Sequence, residues 1–292
     1  MRPSTVDAIV AGGLDPTEVT RIIRTALDED LGPDGVDVTS RATIPDDQAG
    51  TADLVARADG VVAGIAIAAA VFDLVDPRTN TTPQVADGER VRRGTVLATV
   101  TGPTRALLTG ERTALNLLCR LSGVATHTRA WVDALAGTKA RVLDTRKTTP
   151  GLRALEKYAV RVGGGTNKRM GLYDVAMVKD NHARAVGGVA PAFARVRAAY
   201  PEIAIQVEVR SVREALQAVA AGADFLLCDN LEPAVLREVV AAVGDRAELE
   251  ATGGLTLARA REYAETGVDY LSVGALTHSS PILDIAMDIR ER

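Results

Sequence analysis

The chain has 292 residues, of which 47% are hydrophobic and 25% are charged, with a net charge of −4 at pH 7. This composition is typical of a globular protein with one or two domains and excludes a disordered chain. Only 3% of the residues are aromatic and the pI is about 5.5, so we expect neither a stacking platform for single-stranded nucleic acid nor a basic nucleic-acid-binding surface.

Cysteine usage and the N-terminal sequence favour a small-molecule role in the cytoplasm. Two cysteines, Cys119 and Cys228, cannot build a disulfide framework, and no CxxC pair offers a zinc site. The first ten residues lack the apolar core of a signal peptide, and the longest apolar stretch, 61–71, is too short to span a membrane. We therefore expect a cytoplasmic protein whose cysteines are small core residues.

The first hundred residues predict mixed helices and strands. A helix should begin at Asp15, with Glu18 completing a capping box, and end at Gly32. Alternating apolar residues over 52–58 predict a strand. The apolar run 65–75 predicts a short helix that ends before a proline.

Residues 85–101 predict short strands joined by glycine turns. The pattern is superficially similar to a lipoyl-type carrier, but a carrier needs an exposed lysine and residues 81–101 contain none. We interpret the segment as a structural sheet. A long helix should then begin near Thr104 and break at 122–123, with a second helix running to about Leu135.

From residue 141 onward, short apolar strands alternate with helices. This order predicts parallel strands with right-handed crossovers, in either a doubly wound sheet or a closed α/β barrel. No GxGxxG follows a strand to support a dinucleotide fold, and six units fall short of the usual eight of the barrel. The predicted strands are 141–144, 175–178, 203–209, 225–228, 249–251 and 270–273, and the helices include 190–199, 212–221, 232–243 and 257–266.

The C-terminal residues depart from this alternation of strands and helices. Apolar residues occupy every second position from Leu283 to Ile289, which predicts a strand. With no partner left in the barrel, this strand should return to the N-terminal sheet. We therefore predict an N-terminal α/β domain of residues 1–122, joined by the strand segment 279–292, and an α/β-barrel catalytic domain of residues 123–278.

Charged residues stand at the carboxyl ends of the first five barrel strands, where parallel α/β folds place their active sites. Residues 141–179 hold nine basic and three acidic side chains, a local balance of +6 that should attract a small polyanion. A ring of internal salt bridges is the alternative interpretation. We expect Arg153 and Lys157 on the solvated face of a helix. The candidates for an anion site are Arg146, Lys147, Lys168, Arg169 and Lys179.

Two glycine-containing turns follow the last two predicted strands, where barrels usually bind phosphate. Glu208 and Asp229 lie on neighbouring strands and offer hard oxygen ligands that suit Mg²⁺ together with substrate phosphates. The residues alone therefore predict a cationic anion site, a phosphate cradle and a Mg²⁺ site. The two turns are Thr252-Gly253-Gly254 and Val273-Gly274-Ala275.

The segment 143–182, LDTRKTTPGLRALEKYAVRVGGGTNKRMGLYDVAMVKDNH, closely resembles the quinolinate phosphoribosyltransferases, also called nicotinate-nucleotide pyrophosphorylases (carboxylating). Supporting stretches, which extend the resemblance over nearly the whole chain, are 29–40, 110–126, 207–211, 226–230, 251–255 and 272–279. The resemblance implies an N-terminal α/β open sandwich and an incomplete six-stranded α/β barrel of the type II phosphoribosyltransferase kind. It also implies Mg²⁺-dependent transfer from 5-phosphoribosyl 1-pyrophosphate to quinolinate, giving nicotinate mononucleotide, pyrophosphate and CO₂ for NAD biosynthesis.

The same resemblance implies roles for individual residues. The implied quinolinate-binding cations are Arg112, Arg146, Arg169 and Lys179. The implied catalytic set is Lys147, as a ligand of phosphoribosyl pyrophosphate, with Glu208 and Asp229 as metal ligands. The other expected substrate-binding residues are Thr145, Lys168, His278 and the two glycine turns. In this family the partner subunit contributes the arginine at position 112, so the resemblance implies a homodimer with shared sites, or a higher oligomer.

One residue departs from the family pattern, which has Asn-His-Arg where this chain has Asn167-Lys168-Arg169. Lysine keeps a positive donor but loses the titration of histidine near neutrality. Three other functions stay open: a related phosphoribosyltransferase acting on another pyridine or heterocyclic acid, a Schiff-base aldolase using Lys179, and a non-catalytic barrel. We interpret His127 as a packing residue and His182 as a residue that orients a loop.

Overall fold

The computed structural model describes residues 1–291, which form two compact units. The first unit comprises Met1–Arg129, Thr149–Gly164 and the segment from Ser279. The second comprises Ala130–Thr148 and Gly165–His278. The domain boundary that the sequence places between residues 122 and 123 stays a prediction.

Helices and strands alternate along most of the chain. The helices are α1 (Pro3–Ala11), α2 (Pro16–Leu31), α3 (Val38–Thr43), α4 (Ile65–Val75), α5 (Thr104–Ala134), α6 (Arg153–Val162), α7 (Asp180–Val186), α8 (Val189–Ala199), α9 (Val212–Ala220), α10 (Pro233–Val243), α11 (Ala260–Ala264) and α12 (Ala275–His278). The strands are β1 (Ala49–Ala56), β2 (Gly60–Val61), β3 (Asn80–Pro83), β4 (Arg90–Val91), β5 (Val96–Pro103), β6 (Arg141–Leu143), β7 (Val175–Val178), β8 (Ala204–Val209), β9 (Phe225–Asp229), β10 (Glu248–Thr252), β11 (Tyr270–Ser272) and β12 (Ile285–Ile289).

The first unit is an α/β open sandwich built on an antiparallel sheet in the order β12-β1-β5-β3. The C-terminal strand returns to this sheet as predicted, with Leu54 opposite Met287 and Ala56 opposite Ile285. The glycine-rich segment 85–101 supplies β4 and most of β5, and β5 pairs with both β1 and β3. That segment is therefore structural.

Helix α2 begins where its sequence predicts. The Asp15 side chain accepts a hydrogen bond from the Thr17 N–H at 2.8 Å and so caps the helix. Glu18 does not close the expected capping box, because its carboxylate pairs with Arg21 at 2.6 Å instead. The apolar stripe of the helix, including Ile23, is buried.

Helix α5 is continuous, so the predicted break at 122–123 and the predicted second helix are wrong. Gly123 lies inside the helix. Close packing requires glycine there, because a Cβ would lie 2.1 Å from the Pro281 carbonyl oxygen. Ser122 is fully buried and its hydroxyl accepts a hydrogen bond from the Ala63 N–H at 3.0 Å. These small residues mark close packing against a neighbour, which overrides their weak helix propensity.

The burial of helix α6 differs from the prediction at one position. Lys157 is fully buried, so the expected solvated face with Arg153 is wrong for this lysine. The adjacent Glu156 is also buried, and its carboxylate accepts hydrogen bonds from Arg120 and Thr149, each at 2.7 Å. Glu156 and Lys157 therefore belong to the interior of the first unit, where hydrogen bonds offset the cost of burying the Glu156 carboxylate.

The second unit is an incomplete α/β barrel with the strand order β6-β11-β10-β9-β8-β7. All neighbouring strands are parallel, and each lies within one residue of its predicted bounds. The sequence-predicted fold class is confirmed, and the sheet stays open between β6 and β7. The predicted helix 257–266 is a 3₁₀ turn, Leu257–Arg259, followed by α11. Of the helices within residues 1–291, none has the length and apolar character needed to cross a membrane.

Candidate functional site

A cavity of about 720 Å³ lies at the carboxyl ends of the barrel strands in the second unit. This volume suits a small-molecule site. The predicted site residues that line it are Thr145, Arg146, Lys147, Lys168, Arg169, Lys179, Glu208, Asp229, Thr252, Gly253, Gly254, Val273, Gly274, Ala275 and His278. Within the described chain, Arg112 is the predicted site residue outside this lining, and it is exposed on α5 in the first unit.

The cavity wall includes the five cations that the sequence predicts as an anion site. Arg169 is only 9% exposed, and its Nη1 donates to the Val175 carbonyl at 3.0 Å. Burial, and after it the charge of Arg146, lowers the pKa of Arg169. A guanidinium still remains charged near neutral pH, so the cavity concentrates positive charge that favours an anionic ligand.

A fully buried carboxylate, Asp144, fixes the loop that carries two of these cations. Its Oδ1 accepts the Lys168 N–H at 2.7 Å and its Oδ2 accepts a hydrogen bond from Asn167 Nδ2 at 2.7 Å. Asp144 follows β6 directly, so it ties residues 167–168 to the end of the first barrel strand. The positions of Lys168 and Arg169 therefore depend on Asp144.

Lys168 meets a second buried carboxylate through its side chain. Its Nζ lies 2.5 Å from Oε1 of Glu250, which is fully buried on β10. Gln206 Nε2 donates to the other Glu250 oxygen at 2.5 Å, and the Ser272 hydroxyl donates to Oε1. Burial lowers the pKa of Lys168, the Glu250 carboxylate opposes this, and Arg169 lowers the pKa further.

The cavity also holds the two carboxylates that the sequence predicts as metal ligands. Glu208 Oε1 and Asp229 Oδ2 each lie 3.2 Å from the same nitrogen, Nη2 of Arg210. Because one cationic atom contacts both carboxylates, one divalent cation can do so as well. Within residues 1–291 no group of three or more His, Cys, Asp or Glu side chains is arranged to hold a metal ion. A Mg²⁺ ion here would need further oxygens from substrate phosphates, which is its usual mode of binding.

The turn after β10 has a backbone that needs glycine. Gly253 has φ +98°, and a Cβ there would lie 2.2 Å from Oδ1 of Asn230. Asn230 is itself left-handed, with φ 54°, and its N–H donates to the Thr252 carbonyl at 2.9 Å. Gly254 also has positive φ, but a Cβ there meets nothing within 4 Å. Packing therefore requires Gly253, whereas Gly254 borders open space.

The turn after β11 lies against a catalytic candidate. A Cβ on Gly274 would lie 2.9 Å from Cδ of Lys147 and 3.1 Å from Nε2 of His278. The Thr277 hydroxyl donates to the Lys147 carbonyl at 2.8 Å. The small residue at 274 therefore leaves room for the stem of Lys147 at the rim of the cavity.

The remaining histidines and the cysteines lie outside the cavity lining. His182 Nδ1 accepts the Lys179 N–H at 3.0 Å and so caps α7, which fits a residue that orients a loop. His127 Nδ1 lies 2.8 Å from the Ser280 hydroxyl, and burial lowers the pKa of this histidine. Both cysteines are buried and free, and burial raises the pKa of Cys228 to about 12.

Six further residues line the cavity, and the sequence predicts no binding or catalytic role for them, although it places Asn230 and Glu250 at the carboxyl ends of barrel strands. They are Met177, Leu227, Asn230, Glu250, Leu255 and Ser272. Glu250 carries a usable signal, since it is an acidic residue between two apolar residues of a barrel strand. Its partner Lys168 is 82 residues away in the chain, and the sequence does not indicate that pairing.

Two family models together match most of this chain. The N-terminal domain of quinolinate phosphoribosyl transferase matches residues 37–122, and its C-terminal domain matches residues 124–288. An α/β sandwich followed by an incomplete barrel with a cationic cavity is the architecture of a phosphoribosyltransferase. The chain belongs to the quinolinate phosphoribosyltransferase family. The family and enzyme class that its sequence predicts are therefore confirmed.

Individual relatives agree with the family models. The chain is 50% identical to the nicotinate-nucleotide pyrophosphorylase [carboxylating] of Mycobacterium leprae, over 91% of this chain and 95% of that protein. It is 44% identical to a probable nicotinate-nucleotide pyrophosphorylase [carboxylating] of Bacillus subtilis, over 89% of this chain and 90% of that protein. The structure of the nicotinate-nucleotide pyrophosphorylase from Francisella tularensis superposes with a TM-score of 0.91 at 34% identity, covering 95% of this chain and 98% of that one.

The two glycines after β10 give a matched pair of variants. We expect Gly253→Ala to lower the free energy of unfolding by about 2 kcal/mol or more, because the new methyl group adds a clash with Asn230 to the cost of positive φ. Gly254→Ala should cost only about 1 kcal/mol, since it adds positive φ without a clash. Thermal unfolding of both variants beside the wild type measures the difference. Equal destabilisation would contradict this account of the turn.

Proposed function

We propose that this chain transfers the phosphoribosyl group of 5-phosphoribosyl 1-pyrophosphate to quinolinate, with loss of CO₂, for NAD biosynthesis. The observation that carries the proposal is a cavity whose lining combines the cations of the predicted anion site with the Glu208 and Asp229 carboxylates and the two small-residue turns. Membership of the quinolinate phosphoribosyltransferase family supports the same reaction. The cytoplasmic location stays a prediction.

The cations are proposed to bind the acid substrate. Quinolinate is a dianion, and the planar guanidinium groups of Arg146 and Arg169 suit its carboxylates. Lys168 and Lys179 supply further positive charge in the same lining. A cavity that holds this many cations leaves some of them uncompensated when a monoanion binds, so it selects for the dianion.

Lys147 and the small-residue turns are proposed to bind the phosphate groups of the second substrate. Glu208 and Asp229 would hold Mg²⁺, because one cation can contact both carboxylates and the donors are oxygens. The chemistry that a bound Mg²⁺ ion would supply there is neutralisation of the negative charge on the departing pyrophosphate. Lys147 is placed at the rim beside Gly274 and would stabilise the same charge.

The bond changes need no covalent intermediate with the protein. The pyridine nitrogen of quinolinate forms a bond with C1 of the ribose while the bond from C1 to pyrophosphate breaks. The resulting pyridinium withdraws electrons, so the adjacent carboxylate can leave as CO₂ and the ring carbon then takes a proton. The cavity contributes mainly by positioning the two substrates and by electrostatic stabilisation.

The aldolase hypothesis has less support from the structure. A Schiff-base lysine needs an amine that loses its proton readily, which desolvation favours. Lys179 is exposed at the end of β7. A phosphoribosyltransferase for another heterocyclic acid is the remaining alternative, and the choice of acid substrate tests it.

Substrate choice is the first test of this function. With phosphoribosyl pyrophosphate and Mg²⁺ present, we expect kcat/KM for quinolinate to exceed that for nicotinate by at least about 100-fold, because nicotinate leaves buried cations unpaired. Release of CO₂ and formation of nicotinate mononucleotide measure the reaction. Equal use of the two acids, or turnover of neither, would contradict the proposal.

Metal dependence is the second test. Chelation of Mg²⁺ should abolish turnover, and Glu208→Gln and Asp229→Asn should each lower kcat/KM by about 100-fold while raising the Mg²⁺ concentration that gives half-maximal rate. The matched control is Asp224→Asn, since Asp224 is exposed just before the opposite end of β9. Full turnover in excess chelator would rule out the assigned metal ligands.

We also propose that the enzyme works as a homodimer whose sites are shared. The family resemblance supports this, since it implies that the arginine at position 112 is contributed by the partner subunit. Arg112 is exposed on α5. A residue that contributes to the site of a partner subunit must be accessible in the single chain, and Arg112 meets this condition. A C2 dimer built on this helix would form two equivalent sites.

Complementation tests the shared site. Arg112→Ala and Lys147→Ala should each be nearly inactive alone, but mixed subunits should recover towards about half of the wild-type rate per heterodimer, because one of the two sites carries neither lesion. The control pair is Arg146→Ala with Lys147→Ala, both in the second unit, which should not complement. Confirmed subunit exchange without recovery would overturn the shared-site proposal.

A further inference from the structure

Glu250 is a buried acid to which the proposed reaction gives no role. Glu250 is fully buried yet lines the same cavity as the substrate-binding cations. An ionised acid in the interior is costly unless it is paired and hydrogen-bonded. Glu250 satisfies that condition through three side-chain donors, which come from Lys168, Gln206 and Ser272.

The three donors come from different parts of the barrel. Ser272 lies on the neighbouring strand β11, whereas Gln206 lies on β8, so its 2.5 Å bond to Glu250 crosses the barrel interior past β9. Lys168 comes from the loop before β7, where Asp144 holds its backbone N–H at 2.7 Å. The two ends of Lys168 are therefore fixed by two different buried carboxylates. Such a lysine has a set position, unlike a flexible surface lysine.

Burial and the surrounding charges both act on the pKa of Lys168. Burial lowers this pKa most, and the charges of Arg169 on the same loop and Lys179 after β7 act in the same direction. The Glu250 carboxylate opposes them, because it lies within hydrogen-bond distance of the ammonium group. Cys228 on β9 is a neighbouring thiol, and burial, followed by the charge of Glu250, raises its pKa to about 12. Glu250 is therefore the group that raises the pKa of Lys168 against burial and the neighbouring cations.

We propose that Glu250 is a positioning residue for the acid substrate, which holds Lys168 as a fixed ammonium donor in the cation wall of the cavity. The proposal rests on the proposed function, since it makes Lys168 one of the groups that bind a carboxylate of quinolinate. An ammonium has three N–H donors, and Lys168 lines the cavity in which a ligand would bind. The family pattern has histidine at this position. Without a neighbouring carboxylate, a histidine would be positively charged only below neutral pH.

The test is the pH profile of kcat/KM for quinolinate in Glu250→Gln, at saturating phosphoribosyl pyrophosphate. Loss of the Glu250 charge should lower the pKa of Lys168. As pH rises, the activity of the variant should therefore begin to fall at a lower pH than the activity of the wild type. We expect a loss of about tenfold or more at pH 8.5, a smaller loss at pH 6, and an effect mainly on KM for quinolinate. KM for phosphoribosyl pyrophosphate should hardly change.

Two further variants separate positioning from folding. Arginine stays charged throughout this range, so Lys168→Arg added to Glu250→Gln should remove the alkaline loss even if the overall rate is lower. The matched control is Glu248→Gln, the same substitution on the same strand but outside the cavity lining. If Glu250→Gln does not fold, Lys168→Met replaces it and should raise KM for quinolinate about tenfold or more.

The outcomes are distinct. A wild type that does not turn over quinolinate would contradict the proposed function. If the wild type turns over quinolinate but Glu250→Gln has a pH profile of kcat/KM parallel to that of the wild type, only the proposed role of Glu250 is overturned. The same holds if Lys168→Met leaves KM for quinolinate unchanged. An alkaline loss that appears only in Glu250→Gln and disappears with Lys168→Arg supports the proposal.

Discussion

The pairing of cavity cations with buried carboxylates is the interaction on which the site depends. Several cations that line one small cavity repel one another, and each resists burial. Asp144 and Glu250, both fully buried, offset this by holding the backbone and the side chain of Lys168. Positive charge can then persist in the cavity before any anion binds, so the site is organised in advance for an anionic substrate.

The barrel explains how these residues meet. Parallel strands bring their carboxyl ends to one edge of the sheet, and the side chains that follow β6, β8 and β9 there include Arg146, Arg210 and Asn230. A further cation, Arg210, already spans Glu208 and Asp229. Arg210 thus partly neutralises the two carboxylates that are proposed to hold Mg²⁺. Its side chain is half exposed and would compete with the ion for the same oxygens.

Much of this arrangement could be predicted from the sequence, because short apolar strands between turn residues are a local signal and their ends identify the site. The strands of the barrel and most of the cavity lining follow from that signal and from the family resemblance. Features that depend on distant partners could not be predicted. Gly123 suggests a helix break in the sequence, but it is a close-packing position against Pro281. The sequence likewise places Lys157 on a solvated helix face, whereas this lysine is fully buried.

A crystal structure of the enzyme with quinolinate bound tests the central claim most directly. The account predicts that the two carboxylates of quinolinate contact cations of the cavity wall, among them Arg146, Arg169 and Lys168, while Lys168 Nζ stays within hydrogen-bond distance of Glu250. Quinolinate bound away from these cations would contradict it, and so would a Lys168 side chain turned away from Glu250 in the complex.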